Sequence, residues 1–416
     1  MDTFKVVEIC AGAGGQALGL EKAGFEHEIA VELDENACDT LSLNRPWWKV
    51  AQGDVANPSV WDPATHRDDD IALLAGGVPC PPFSIAGRQL GANDERDLFA
   101  WAVEQTEVVG PRALMLENVR GLSMPRFAGY RQHVLDRLTQ LGYVAEWKLL
   151  HASDFGVPQL RPRFILVALH REDAPYFHWP EPIGTPPTVG ETLLDLMKVE
   201  NNEWPGAEAW AKKANKIAPT IVGGSKKHGG ADLGPTRAKR AWAEMGVDAL
   251  GIANTPPTAK DPVDHIPKLT CEMVARLQGW SMDYPWEFSG RKTARYRQIG
   301  NAFPPPVAHA VGAAIMRALK HEGPARVLDN TEHDPLYKTL RSSKDFVTPE
   351  RLMKAAGIND SAELERRIGL LNRDFHVETR TVGAKTRYKL GDFKAFVGQA
   401  DHERHDLFLK HRAKIS

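Results

Sequence analysis

Cys80 sits in Gly77-Val78-Pro79-Cys80-Pro81-Pro82-Phe83-Ser84, a proline-stiffened loop directly after the apolar run Ile71-Ala72-Leu73-Leu74-Ala75. That run reads as a buried strand. The thiol then lies at the carboxyl end of a central strand, where open α/β sheets carry their chemistry. A buried structural cysteine is the alternative, and other residues must decide. Leu114-Met115-Leu116-Glu117 delivers a carboxylate at the end of another apolar strand. A carboxyl so placed is suited to hydrogen bonding or proton donation; a capping acid at a strand–helix junction is the plainer role. Gln159-Leu160-Arg161-Pro162-Arg163 holds two guanidinium forks, which match phosphate or carbonyl oxygens or form a surface ion pair.

A second group of residues suits a nucleotide. Val6–Cys10 reads as a strand, followed by Ala11-Gly12-Ala13-Gly14-Gly15 and a helix from Gln16 to Ala23. Glycines there let backbone approach a ligand at a helix N-terminus. Glu32 follows the second strand, 20 residues past Gly12, where a carboxylate can bind ribose hydroxyls. Asp54 follows Gly53 at the lip of the same cleft and can accept from an adenine amino group. These residues alone fit a nicotinamide or flavin enzyme as well as an S-adenosyl-L-methionine enzyme. The run Arg295–Pro305 ends in a turn at Asn301 that can return to the glycine loop.

The elements that must position these groups follow from patterning. Candidate strands are Phe4–Cys10, Glu28–Val31, Ile71–Ala75, Ala113–Leu116, Val144–Leu149 and Arg163–Leu169, with helical stretches between them. The alternation predicts parallel βαβ units and an α/β, doubly wound sheet. Charge is nearly balanced, with 52 basic against 54 acidic residues, as in an ordinary soluble protein. Four scattered cysteines exclude a disulfide framework, and no CxxC pair suggests zinc, so no metal is expected. The N-terminus lacks the apolar run of a signal peptide, and no stretch reaches the length of a membrane span. A cytoplasmic protein with no membrane partner is expected.

The ordered set of motifs resembles the DNA (cytosine-5)-methyltransferases. It comprises Ala11–Gly15, Pro79-Cys80, Glu117-Asn118-Val119, Gln159-x-Arg161-x-Arg163 and Gln298-x-Gly300-Asn301, with Arg96-Asp97-Leu98-Phe99 and Arg276–Trp280 as minor motifs. The match covers roughly 1–170 and 266–320. The resemblance implies a Rossmann-like domain dependent on S-adenosyl-L-methionine, with Cys80 as the nucleophile that adds to cytosine C6. Glu117 would act at N3 and Arg163 on the carbonyl, while Arg161 and Ser84 would position phosphates. Gly12, Gly14 and Gly15 would hold the methionine end, Glu32 the ribose and Asp54 the adenine, with Asn301 near the methionine. The chain departs from the family pattern at Cys10, usually Phe, at Leu33, often aromatic, and at Pro81, usually Gln.

Expected domains are a catalytic first part at 1–175, a target-recognition insertion at 176–265, a catalytic return at 266–325 and an extension at 326–416. From about 176 prolines cluster, and glycine- and lysine-rich sequence follows, which predicts irregular structure with short strands. Segment 205–240 carries eight basic residues against Glu208 and Asp232. Thr220, Lys226, Lys227 and Arg237 are its candidate DNA contacts. In the extension, Thr348-Pro349-Glu350 starts a helix that Gly357 closes, a second helix spans Ala362–Leu371, and Phe375–Arg380 and Thr386–Leu390 form a hairpin. A winged helix is one reading; a packing or dimerisation module is another. The expected partner is double-stranded DNA, bound by a monomer, with a dimer through the extension left open. In a bacterium such an enzyme protects host sites within a restriction–modification system. The alternatives are a tRNA cytosine-5 methyltransferase, a dinucleotide-dependent oxidoreductase and a non-catalytic DNA-binding regulator.

Overall fold

Short apolar runs separated by amphipathic stretches build one seven-stranded sheet with helices on both faces. The computed structural model describes residues 3–78, 98–199, 202–224, 230–328, 334–382 and 385–393. The strands are Lys5–Ile9 (β1), Glu26–Glu32 (β2), Val50–Gln52 (β3), Ile71–Gly76 (β4), Ala113–Val119 (β5), Tyr143–His151 (β6) and Pro162–His170 (β7), in the order β3-β2-β1-β4-β5-β7-β6. All pairings are parallel except those of β7, which runs antiparallel to β5 and β6. The expectation of parallel units throughout is corrected there: β6 and β7 are joined by a short connection, which antiparallel strands permit and parallel ones do not. β4 is buried along its whole length, as a central parallel strand with both faces covered must be. β3 is not among the candidate strands because three residues are too few for a periodic signal, although Gly53-Asp54 reads as a strand end.

The strand order reverses between β1 and β4, which pair Ile9 with Gly76. Open sheets leave a crevice at such a point, beyond the carboxyl ends of the strands. Gly15–Lys22 (α1) and Pro305–Leu319 (α10) pack together, and α10 covers one face. Leu98–Val109 (α3) and Ala128–Gln140 (α4) cover the other. Glu35–Asn44 (α2) flanks β2 and β3.

Residues 189–302 build their own core. It holds Val189–Met197 (α5), Ala207–Lys213 (α6), Thr236–Glu244 (α7), Cys271–Leu277 (α8) and Lys292–Asn301 (α9), around Trp204, Trp210, Trp242 and Trp280. Packing therefore changes near residue 302 rather than at 265/266, since α8 and α9 bury Val274, Leu277, Tyr296 and Ile299 in this cluster. The short strands expected here are replaced by helices; among the described residues only isolated bridges pair, as at Gln159/Ala218. The sequence carried the signal: Thr188 and Glu191 form a reciprocal capping box at the head of α5.

The last unit comprises Pro335–Arg341 (α11), Pro349–Ala356 (α12), Ser361–Asp374 (α13), Phe375–Val382 (β8) and Lys385–Phe393 (β9). Thr348 caps α12 through the Arg351 amide, and Gly357 ends it at φ 63°. Leu336, Tyr337, Leu340, Leu364 and Ile368 share one apolar core with α3 and α4, and the Tyr337 hydroxyl donates to Asp136 Oδ2 at 2.7 Å.

Candidate active site

The glycine turn leaves β1 through Cys10 at φ 50°, Gly12 at φ 57° and Gly14 at φ 89°. Only glycine takes such angles without strain, and Cys10 bears that strain beside the cleft. A Cβ on Gly14 would lie 2.5 Å from the Trp286 ring, and one on Gly15 would lie 2.3 Å from the Phe303 carbonyl oxygen. The Trp286 indole also donates to the Ala13 carbonyl at 2.9 Å. So the Asn301 run does return to the glycine turn, but through Ala302-Phe303 backbone. Below the turn, Gln16 donates to buried Glu8 at 3.3 Å, and Glu8 pairs with His27 at 2.8 Å, which fastens the start of α1 to the sheet.

Glu32 accepts from the amides of Gly12 at 2.7 Å and of Leu33 and Asp34, each at 2.8 Å. These bonds clamp the turns after β1 and β2 together. A carboxylate offers about four acceptor sites, so a place remains on Oε2. Burial raises the Glu32 pKa, and the three amides oppose that rise. Asp54 is 4% exposed; its Oδ1 accepts from Ala56 at 3.0 Å, and Oδ2 has no partner among the described residues. A buried acceptor left unpaired is costly and marks a place for a donor. Burial, with Glu32 and Asp54 close by, pushes the Cys10 thiol far up, so it stays protonated and unreactive. An amino group for Asp54, a diol for Glu32 and a wedged turn at the head of α1 together fit a nucleoside cofactor.

A second cluster lies at the ends of β4, β5 and β7. Pairing of Val119 with Arg163 and of Glu117 with Ile165 puts Glu117 and Arg163 on one face of the sheet. Arg163 Nε lies 2.5 Å from Glu117 Oε1, with about 11 and 12% of each side chain exposed. Nε–H is not aimed along that line, so the contact is one of charge rather than an aligned hydrogen bond. Burial pulls the Arg163 pKa down, and Glu117 opposes the shift. A Cβ on Gly77 would lie 3.6 Å from Glu117 Oε2, and Asn118 Nδ2 donates to the Val78 carbonyl at 3.2 Å. The root of the Cys80 loop is thus tied to the strand end that bears Glu117. Cys80 and Ser84 themselves lie outside the described residues, as do Lys226 and Lys227.

Three of the expected contact residues are held by other partners in this structure. Arg161 is 1% exposed, and its guanidinium donates to the carbonyls of Ile221, Gly300 and Ala302 at 2.7 to 3.0 Å, so it is a buried tie and not a phosphate contact. The Thr220 hydroxyl donates to the Leu160 carbonyl, which staples this segment to the catalytic unit. Asn301 Nδ2 donates to the Gly224 carbonyl at 3.1 Å and so holds the shoulder of the lysine loop rather than the methionine end. Arg237 stands exposed on α7. Sequence reasoning missed Trp286 and gave no role to Asn118, Gln278 and Tyr296, which lie in motifs it quoted. Gln278 joins Gln159 to the carbonyls of Ile299 and Ala302, and the Tyr296 hydroxyl reaches those of Val222 and Asp232, on either side of the lysine loop. Only the long reach between segments distant in sequence would reveal them. Among the described residues one metal-ligand group, Glu28, His66 and Asp69, lies toward the amino ends of β1, β2 and β4, away from the cleft, where Lys5 already pairs with Glu28 at 3.1 Å. No described helix is long and apolar enough to cross a membrane.

Comparison with known proteins agrees with this geometry. The family described as C-5 cytosine-specific DNA methylase matches residues 4–317. Type II methyltransferase M.NaeI of Lentzea aerocolonigenes is 66% identical over 419 residues, covering 100% of both chains. Type II methyltransferase M.NgoMIV of Neisseria gonorrhoeae is 52% identical over 323 residues, 77% of this chain and 99% of its own. Among solved structures, the Entamoeba histolytica methyltransferase EhMeth superposes with a TM-score of 0.52 at 15% identity, over 77% of this chain and 99% of that chain, a likeness of fold. The chain belongs to the C-5 cytosine-specific DNA methylase family and is a DNA (cytosine-5)-methyltransferase.

Proposed function

We propose that the chain methylates C5 of a flipped-out cytosine in a specific double-stranded DNA sequence, through a transient covalent bond to Cys80. The observation that carries this reading is the Glu117–Arg163 pair at the root of the Cys80 loop. Cytosine C5 is a poor nucleophile. The Cys80 thiolate adds to C6, and Glu117 gives a proton to N3 as the electron pair moves there. Arg163 holds the ring carbonyl. C5 of the resulting enamine is nucleophilic. Loss of the C5 proton, return of the N3 proton to Glu117 and elimination of the Cys80 thiolate then restore the aromatic ring. The target atoms lie inside the base stack of a duplex, so the base must leave it.

S-adenosyl-L-methionine, when bound, supplies a sulfonium methyl. Asp54 Oδ2 suits its adenine amino group, Glu32 its ribose, and the turn at Gly12, Gly14 and Gly15 its methionine end. The helical unit with α5 to α9 serves as target-recognition domain, with Lys226, Lys227 and Arg237 toward DNA. The enzyme acts in the bacterial cytoplasm as a monomer on DNA and protects host sites within a restriction–modification system, as the type II names of its relatives suggest.

The test is a covalent trap. Target DNA carrying 5-fluorocytosine is incubated with the protein and methyl donor. A stable adduct at Cys80 is expected, because fluorine blocks the elimination, and Cys80→Ala should abolish both adduct and methyl transfer. An adduct at another residue, or methyl transfer by Cys80→Ala, refutes the mechanism.

A further inference from the structure

The unit from residue 334 onward lies beyond the family match. α11, the bridge of Val347 to Tyr388, α12, α13 and the β8–β9 hairpin follow one another as helix, strand, helix, helix, hairpin. In a helix-turn-helix the second helix is the one that enters the major groove of DNA. Here that helix is α13, and one face of it is buried against the catalytic unit. Leu364, Ile368 and Leu371 are buried in the core shared with α4, and Leu370 faces Pro125 and Gly129 across a cavity. Its described arginines have acidic partners: Arg366 binds Glu363 at 2.7 Å, and Arg367 binds Asp334 at 3.0 Å.

The hairpin differs. Strand alternation sends Val377, Tyr388 and Leu390 toward the core, and Glu378, Arg380, Arg387 and Lys389 to the opposite face. Arg380 stands directly opposite Arg387 in the ladder. Both are exposed, and neither has an ion-pair partner among the described residues. Like charges facing each other across paired strands destabilise a hairpin. Among the described side chains of this face the acidic group is Glu378, which sits opposite Lys389 and not between the arginines. A polyanion laid across the face would relieve the repulsion, and a DNA duplex offers dense phosphate charge with acceptors that suit guanidinium forks.

We propose that the outward face of β8–β9 binds the phosphate backbone of duplex DNA beside the methylated site, through Arg380, Arg387 and Lys389. α13 acts as the dock that fixes the hairpin on the catalytic unit. The inference rests on the reading that duplex DNA is the substrate. It separates the hairpin from the methylation chemistry: the contact adds affinity and no base specificity.

The full-length protein and its charge-reversed variant R380E/R387E are compared on two duplexes. One just spans the methylated site, and the other extends it by about one helical turn, about 10 bp, on each side. Wild type should bind the longer duplex more tightly. The variant should lose that gain, about tenfold or more, with a salt slope flattened by about 1.8, the equivalent of about two phosphate contacts. Methyl transfer at saturating short duplex should stay as in wild type. R380K/R387K, which keeps both charges, should retain most of the gain. Equal affinity and slope for wild type and R380E/R387E on the longer duplex overturn the proposal and leave the methylation reading intact. A change in molecular mass by light scattering in place of a change in affinity also overturns it, and makes the hairpin a contact between copies. A wild type that methylates neither duplex removes the underlying reading, and the proposal with it.

Discussion

Asp54 Oδ2 is the most informative single atom of the cleft. It is a buried carboxylate oxygen with no donor among the described residues, beside a Glu32 carboxylate that already holds three amides. The two acids therefore have different work. Glu32 joins the turns after β1 and β2, whereas Asp54 is proposed to accept from the cofactor. Asp54→Ala is expected to weaken S-adenosyl-L-methionine binding roughly 10- to 100-fold, the worth of one hydrogen bond to a charged group. Titration calorimetry checks this, with circular dichroism to verify the fold; an unchanged dissociation constant removes Asp54 from the cofactor site. The presence and spacing of these acids were legible in the chain. That Arg161 is buried was not. Its neighbour in sequence, Arg163, faces Glu117, and strand alternation does not separate residues two apart; what buries Arg161 is the arrival of Ile221 and residues 300–302, more than 50 residues away.

At the scale of elements, α4 carries the join between the sheet and the final unit. His133 on α4 meets the Phe375 ring edge-on at 5.5 Å. Burial, with the nearby Arg341 guanidinium, pushes its pKa from 6.5 down to about 4. The unfolded chain therefore takes this proton more readily than the folded one. The stability contributed is complete above about 6.5 and is lost as the pH falls through that value toward about 4. The urea midpoint of the parent should drop from neutral pH to about pH 5, and drop less for His133→Gln. Parallel losses in the two proteins would rule out this histidine as the cause. The helix caps that end and start α12 and α5 are local signals, so they could be read early. The roles of Trp286 and Tyr296 are contacts between elements, and no local pattern announces them.

On the scale of the molecule, two apolar cores flank the sheet, a third fills residues 189–302, and the final unit joins the first of them. M.NgoMIV matches over nearly its whole length while covering 77% of this chain, and the family match ends at residue 317. Ending the chain after Leu328 should therefore leave methyl transfer on short DNA close to that of the full chain. It should also lower the melting temperature, by roughly 5–10 °C, because the α3–α4 face loses the cover of Leu336, Tyr337 and Ile368. Differential scanning calorimetry beside a tritium-transfer assay reads both. A truncated chain with an unchanged melting temperature would show that the shared core adds no stability.

Order along the chain was enough to state the chemistry: a thiol loop, a carboxyl, a guanidinium pair and a glycine turn are local patterns, each written in a few adjacent residues. Six of the seven strands of the sheet were equally visible, because apolar runs have a short period. The antiparallel β7, the helical make-up of 189–302, the division of packing near residue 302 and the duties of Arg161, Thr220 and Asn301 appeared only in three dimensions. Each depends on which distant segment supplies a hydrogen-bond acceptor or an apolar face, and that is a property of the packed chain, not of any stretch within it.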